Sequence, residues 1–350
     1  MNKKLIALAV AGATFAPAVM AQSANPVTLY GRIWVMANSV KATGPASSPS
    51  RISVVDESSL IGVRGTEDLG GGLKAFFQCE SSAPPDAGGG TFCSRNSGVG
   101  LQGNFGSFLL GRWDSPFKLS QIFVDPYGQN TIGNQQTWIG VSGAGGNNDF
   151  NRRQNNNIQY WSPNFSGFSI RLNYGANEAK TATINPQTTG FSLDYNKGPV
   201  RLAYAYENHK DQLAGTPTAG VTEKGQNLAG TFTFGPVKLG ALTQKIKSSG
   251  RTDRKAAQIS AVYTAGMNEF MLSGGKNKDG GLSGAAVQPE TKVWTIGYNY
   301  NFSKRTTFMA RYADVKNNAA GVQNLNGAQL PAIAADADPK GFGAGFRHTF

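Results

Sequence analysis

The sequence predicts an all-β protein: one antiparallel β-barrel of about 16 strands that crosses a membrane. Three observations predict it. The chain opens on a short apolar leader of the kind that directs export. Behind that leader no apolar run is long enough for a membrane helix. Apolar and polar residues then alternate in short stretches to the last residue, with arginines in the middle of the polar rows.

In the leader, Lys3 and Lys4 supply the positive start and Leu5 to Ala13 the apolar stretch. Val19, Met20 and Ala21 form the small-residue cleavage site of a secretory signal. The apolar stretch is well short of the roughly 18 residues a spanning helix needs. Residues 1–21 are therefore expected to be removed, leaving residues 22–350 as a single barrel domain. The chain as a whole does not read like an ordinary soluble protein: it is rich in glycine (45) and proline (16), and only 15% of its residues are charged. Its length also exceeds the ~250–300 residues at which one conventional core usually splits. A barrel escapes that limit because its outer face is buried in lipid. Composition equally permits an exported β-solenoid, so the pattern along the chain must decide.

Period-two alternation marks strands. Phe168, Ile170, Leu172 and Tyr174 alternate with Ser169, Arg171 and Asn173; Phe191, Leu193 and Tyr195 repeat the pattern, as do Val200, Leu202, Tyr204 and Tyr206. At the end of the chain Phe342, Ala344, Phe346, His348 and Phe350 alternate with Gly343, Gly345, Arg347 and Thr349. A soluble sandwich also alternates. Here, however, Arg32, Arg171, Arg201, Arg311 and Arg347 sit mid-strand on the polar face, which suits a water-filled lumen.

Connections alternate in length. Short turns are expected at 67–72, 104–107, 164–167, 196–199, 235–236, 266–268 and 303–305. Longer polar stretches are expected at 81–93, 175–189, 209–224, 277–289 and 317–340. Short turns at one end and long loops at the other are the layout of outer-membrane barrels. Counting between breaks gives 16 strands, with 14 and 18 also compatible with the pattern. Between Arg112 and Asn157 lie some 40 residues with weak alternation. Their segment Pro116–Tyr127 is too apolar for a solvated tail, so it is expected to fold back into the barrel and narrow the pore.

Several stretches resemble the general, non-specific porins of Gram-negative bacteria, in the branch typical of β-proteobacteria. They are Val27–Gly31, Gly62–Ala75, Asn104–Phe108 with Gly111 and Arg112, Tyr160–Phe168 and the terminal Phe350. The resemblance covers the whole chain. It implies a 16-stranded barrel, usually a homotrimer, with the third extracellular loop folded inside as a constriction. It places the arginine row of the pore on Arg32, Arg95 and Arg153, a lumen carboxylate on Glu80 and an acidic loop position on Asp125. Arg171, Arg201, Arg311 and Arg347 become further lumen residues, and Phe350 the signal read by the barrel-assembly machinery. The implied surroundings are outer-membrane lipid and lipopolysaccharide, and the implied cargo is small hydrophilic solutes and anions. Two departures stand out. Leu60 occupies a position where the family often has arginine, and residues 127–135 carry no charge where enterobacterial porins have an acidic segment.

Aligned guanidinium groups stay charged at any physiological pH, and a low-dielectric wall focuses their field. A general diffusion pore with anion preference is therefore expected. In the alternative the arginines pair with Glu80, Asp125 and Asp149, and the pore is nearly unselective. A substrate-specific anion or small-solute channel is the competing function. Such a pore would show an aromatic slide or a lysine-dense lumen, whereas Trp113, Trp138 and Trp161 are scattered. Cys79 and Cys93, an even count in an exported chain, are expected to form a disulfide across a Gly/Pro-rich loop. With only His209, at the start of an expected loop, and His348, on the lipid-facing register, no enzyme, metal or cofactor site is expected. No basic stripe with interleaved aromatics points to nucleic acid.

Overall fold

The computed structural model describes residues 26–350 apart from 46, 129–130, 136–138, 140–149, 214–215, 279, 326–329 and 331–332. The leader, Trp138 and Asp149 lie outside the described residues.

The described chain forms strands β1 (Thr28–Thr43), β2 (Ser48–Asp56), β3 (Leu60–Gly70), β4 (Leu73–Ser82), β5 (Ser97–Gly103), β6 (Gly106–Asp114), β7 (Arg153–Trp161), β8 (Phe168–Gly175) and β9 (Gln187–Lys197). It continues through β10 (Val200–Leu213), β11 (Thr216–Phe234), β12 (Val237–Ser248), β13 (Arg254–Ala265), β14 (Asn268–Lys278), β15 (Glu290–Asn301), β16 (Thr306–Asn317) and β17 (Asp338–Thr349). From β3 onward each strand pairs antiparallel with the next, and β17 returns to β1 with Arg32 opposite Thr349. Both β2 and β3 pair with β1, so they are two halves of one wall strand interrupted at 57–59. The result is a closed antiparallel barrel of 16 strands. Closure leaves no unpaired edge, which a strand structure in lipid requires.

All seven expected short turns fall between strands, at one end of the barrel. One long connection differs from expectation. Residues 209–224 are not a loop; β10 and β11 continue as a ribbon, with His209 opposite Glu223 and Leu213 opposite Thr216.

Burial is inverted relative to a soluble protein. Phe168, Ile170 and Leu172 are exposed, Ser169 and Arg171 between them are half-buried, and Asn173 next in the inward register is buried. The same holds on β11 and β15, where Leu228 and Trp294 face outward and Asn227 and Thr295 inward. No described helix is long and apolar enough to cross a membrane. An apolar outer face and a polar interior are what lipid outside and water inside demand of paired strands.

The segment after β6 turns onto the inner face. Ser115 caps the short helix α1 (Pro116–Leu119), accepting the Lys118 N–H at 3.2 Å, with proline in the first turn. A single 3-10 turn, Ile122–Val124, follows. From there the segment is pinned across the interior. Asn227 donates to the Phe117 carbonyl (3.2 Å), Gln244 to Gln121 Oε1 (2.7 Å), Lys238 to the Phe123 carbonyl (3.2 Å) and Ser260 to the Val124 carbonyl (2.7 Å). Tyr127 donates its hydroxyl to the Thr295 carbonyl, and Thr295 Oγ1 donates to the Gly133 carbonyl at 3.0 Å. Glycines in the wall make room for it. A Cβ at Gly297 would lie 2.6 Å from the Tyr127 ring, and one at Gly225 2.6 Å from the Phe150 ring.

Candidate functional site

Arg32 stands where its neighbouring wall strand is broken. Asp56 accepts the N–H groups of Ser58 (3.1 Å) and Ser59 (2.9 Å), and Ser58 takes a φ of 86°, which is uncommon for a residue with a side chain. That kink aims Ser58 at the guanidinium: Arg32 Nε donates to the Ser58 carbonyl at 2.8 Å and Nη2 to its hydroxyl at 3.0 Å. Arg32 and Arg347 each lie 5.5 Å from the ring centroid of the buried Trp34. Leu60 is directly opposite Arg32 in the register, so the charge the family often carries there is missing from the wall beside it.

Glu80 and Arg95 meet at 2.6 Å, the Arg95 N–H bonds the Glu80 carbonyl at 2.8 Å, and Tyr30 donates its hydroxyl to the other Glu80 oxygen at 3.2 Å. Arg153, at the start of β7, donates to Asn96 Oδ1 at 3.0 Å and lies 3.5 Å from Asp114 Oδ1. Along this wall Arg32 interacts electrostatically with Arg95 and Arg347, and Arg153 with Arg95 and Arg112, with Glu80 acting on both. The expected row of Arg32, Arg95 and Arg153 is therefore brought together, and Arg347 and Arg112 lengthen it. Glu80 lies inside the row, bonded to one of its members.

Asp125 departs from expectation. Its two carboxylate oxygens accept the backbone N–H groups of Tyr127 and Gln135, both at 3.0 Å, so the carboxylate closes the loop on itself instead of standing across water from the arginines. Burial pushes this carboxyl up to about 6 even though both backbone donors favour its charged form. Arg311 departs as well. It faces inward but is only 1% exposed, because the loop lays Tyr127 over it with the guanidinium 5.4 Å from the ring centroid. Nη1 donates to the carbonyls of Tyr298 and Ala310 and Nη2 to Asn299 Oδ1. Arg171 pairs with Asp194 at 2.8 Å, and Arg201 lies 4.0 Å from the Phe123 ring centroid.

Sequence reasoning missed two clusters. Lys118 of the loop is buried and bonds Asp114 at 2.8 Å, so Asp114 serves two cations at once. Burial pushes the Lys118 ammonium down, and Asp114 acts against that shift. The i, i+4 spacing of Asp114 and Lys118 was the available signal. The second cluster corrects the placing of His209 in a loop. It lies on β10, fully buried, with Nε2 2.7 Å from Glu207 and Nδ1 3.8 Å from Glu223. Its ring stacks on Phe150 of the inner segment at 4.3 Å. His348 is exposed on the outer face, beside Thr306. Among the described residues no three His, Cys, Asp or Glu side chains are grouped to hold a metal ion.

Cys79 and Cys93 are joined as a disulfide, with Cα atoms 4.8 Å apart. Phe350 closes the ring: its N–H and carbonyl exchange 3.0 Å bonds with Gly31, and a Cβ at Gly31 would lie 2.5 Å from the Phe350 ring.

A closed 16-stranded barrel with a polar interior, an apolar outer belt, an inner segment seated on β11–β15 and a row of guanidinium groups elsewhere on the wall defines a channel-forming protein of the outer membrane. Residues 7–320 match the model of the Gram-negative porin family, and the chain belongs to that family. It is an outer-membrane general porin. Outer membrane porin protein 32 of Delftia acidovorans is 31% identical, covering 100% of both chains. Major outer membrane protein P.IB of Neisseria meningitidis serogroup A is 33% identical over 60% of this chain and 61% of its own. Among solved structures, the anion-selective porin from Comamonas acidovorans superposes with a TM-score of 0.77 at 29% identity, covering 93% of this chain and 100% of that one. Salmonella typhi OmpF, at 18% identity and a TM-score of 0.69 over 93% of this chain and 98% of its own, shares the fold.

Proposed function

We propose that this porin is a general diffusion pore with anion preference, whose constriction is formed by Arg32, Arg95 and Arg153 facing the inner segment. The supporting observation is the clustering of these guanidinium groups on one stretch of wall. There Arg32 and Arg153 each interact electrostatically with Arg95 and the row extends to Arg347 and Arg112, while Glu80 and Asp114 neutralise part of its charge. Arginine rings are the usual device of anion-preferring pores. Such a row is tolerable only where water solvates it, and the low-dielectric wall then concentrates its field across the opening. Glu80 works within the row, holding Arg95 in place. Asp125 shapes the inner segment. Arg171, Arg201, Arg311 and Arg347 line or support the lumen beyond the constriction. The solved relative described as anion-selective agrees with this reading.

Residues 1–21 act as a removable export signal, and 22–350 work as one barrel with no catalytic, metal or cofactor site. The unit is a homotrimer; among structural relatives, Vibrio cholerae OmpT has a trimer form. The Cys79–Cys93 bridge stiffens the loop that the family resemblance turns toward the neighbouring subunit. Phe350 presents the closing strand to the barrel-assembly machinery. The test is the zero-current potential of the purified protein in planar bilayers under a salt gradient. Anion preference that falls when Arg95 and Arg153 are both replaced by Gln supports the assignment. Cation preference in the natural protein, or no shift in the variant, overturns it.

A further inference from the structure

Beneath the inner segment the barrel wall carries two charges of opposite sign that are kept apart. Lys238 on β12 stands opposite Val262 on β13, and Thr264, the next residue of β13 on the same face, stands opposite Glu269 on β14. The cation and the carboxylate are therefore two strands apart, about 10 Å at ordinary strand spacing. Each is tied to a neutral partner. Lys238 Nζ donates to the Phe123 carbonyl at 3.2 Å, and Glu269 Oε2 accepts from Asn299 Nδ2 at 2.6 Å. An ammonium has three donors and a carboxylate two acceptor oxygens, so both groups keep bonding capacity that these contacts do not use.

Between them lies a bay of about 720 Å³, a volume in the range of small-molecule sites. Asp125 and Pro126 of the inner segment roof it, Thr233, Lys238, Thr264 and Glu269 line its wall, and the turn 235–236 forms its rim. The Val124 carbonyl, which accepts from Ser260 at 2.7 Å, marks its upper limit. The bay thus occupies the last stretch of lumen before the short-turn end.

Charge decides what can rest there. The charge acting on Lys238 is another cation, Arg201, whose guanidinium lies 4.0 Å from the Phe123 ring centroid. Glu269 and the roof residue Asp125 supply negative charge. A simple anion meets Lys238 but also two carboxylates, and a simple cation meets the carboxylates but also Lys238 and Arg201. A solute with both charges satisfies both ends and avoids the like-charge juxtaposition that penalises the others. We propose that this bay is a transit subsite for small zwitterions, neutral amino acids in particular, which set their carboxylate on Lys238 and their ammonium on Glu269 between the Thr233 and Thr264 hydroxyls. The subsite rests on the reading of the chain as an open diffusion pore but not on its anion preference, because Arg32, Arg95 and Arg153 take no part in it.

A solute resting in the bay obstructs the ion path, so its residence is read as excess current noise. The test uses purified full-length protein in planar bilayers at neutral pH, with L-alanine, N-acetyl-L-alanine or L-alaninamide at equal concentration. These are close in size and are zwitterion, anion and cation in turn. L-Alanine is expected to give the strongest noise in the natural protein. Glu269→Gln keeps an acceptor for Asn299 and removes the charge. It should shorten L-alanine residence about ten-fold, as loss of one hydrogen bond to a charged group implies, and lengthen that of N-acetyl-L-alanine. Lys238→Gln should shorten L-alanine residence as much and lengthen that of L-alaninamide. A merely displaced inner segment would move all three solutes in one direction. Equal noise from the three solutes in the natural protein, or parallel changes for all three in the variants, would overturn the subsite. Zero-current potentials from the same bilayers report selectivity separately, so loss of anion preference and loss of the subsite are read independently.

Discussion

Arg32 Nε donates to the carbonyl of Ser58 at 2.8 Å, across a gap in the wall where Ser58 stands at a φ of 86°. The position of a pore charge is thereby tied to one backbone conformation. Glycine adopts that conformation freely and keeps the carbonyl, whereas valine resists it by roughly 1–2 kcal/mol. Ser58→Gly should leave the zero-current potential close to that of the natural protein, and Ser58→Val should move it toward cations. Equal shifts from the two variants would refute the link.

Asp114 lies between Lys118 at 2.8 Å and Arg153 at 3.5 Å. Asp114→Asn leaves a buried ammonium without its partner, a loss of about 3–5 kcal/mol when such pairs are broken from one side. It also frees Arg153 from its nearest carboxylate. The variant should therefore unfold at lower urea concentration and show stronger anion preference. Unchanged selectivity together with lowered stability would remove Arg153 from the constriction.

Much of the barrel is legible in the sequence because its signals are local. The alternation of Phe168 to Tyr174, and of Phe342 to Phe350, reports which face meets lipid regardless of what the partner strand contains. Six of the seven short turns are marked by their own Gly, Asn or Pro residues, and the seventh by Ser303, Lys304 and Arg305. What escaped is set by partners far along the chain. His209 reads as a loop residue until Glu223 pairs across from it and Phe150 covers it. Asp125 reads as a pore acid until the N–H of Gln135 closes onto it. The break at 57–59 has a sequence signal only in Asp56, whose role as a cap on Ser58 and Ser59 becomes visible with the backbone.

The inner segment is seated in notches, and one of them faces Tyr127. A Cβ at Gly297 would lie 2.6 Å from that ring, so Gly297→Val forces the ring away. Overpacking of this kind usually costs about 1–3 kcal/mol. Displacing Tyr127 also uncovers Arg311, adding a positive charge to the water path. Single-channel records should show more frequent sub-level closures and a shift toward anions. Quiet channels with natural selectivity would mean that Tyr127 does not hold the segment.

The Cys79–Cys93 bridge spans 14 positions of a connection at the long-loop end. In the chain-entropy account, closing a loop of that size is worth on the order of 3 kcal/mol. In the homotrimer proposed above, the double variant Cys79→Ser/Cys93→Ser should fold, conduct as before and dissociate to monomer at lower temperature in detergent. Unaltered dissociation would confine the bridge to its own loop.

At the far end of the inner segment, His209 is stacked on Phe150 at 4.3 Å and flanked by two fully buried carboxylates. Glu207 lies 2.7 Å from Nε2 and Glu223 3.8 Å from Nδ1. Phe150 also packs on Phe117 at 5.2 Å, so the histidine ring is the wall-side support on which both ends of the segment converge. Removing it has two separable consequences. The aromatic contact is lost, and two carboxylates face one another in a buried site with no ring between them. His209→Phe keeps the first interaction and abolishes the second; His209→Ala abolishes both. If electrostatic mediation dominates, the two variants should lower the urea midpoint equally, and Glu207→Gln added to His209→Phe should restore most of the loss. If stacking dominates, His209→Phe should remain near the natural protein while His209→Ala becomes noisy in single-channel recordings. The carboxylates are fully buried and a broken buried pair costs about 3–5 kcal/mol, several-fold more than an aromatic contact. The expected outcome is therefore the first.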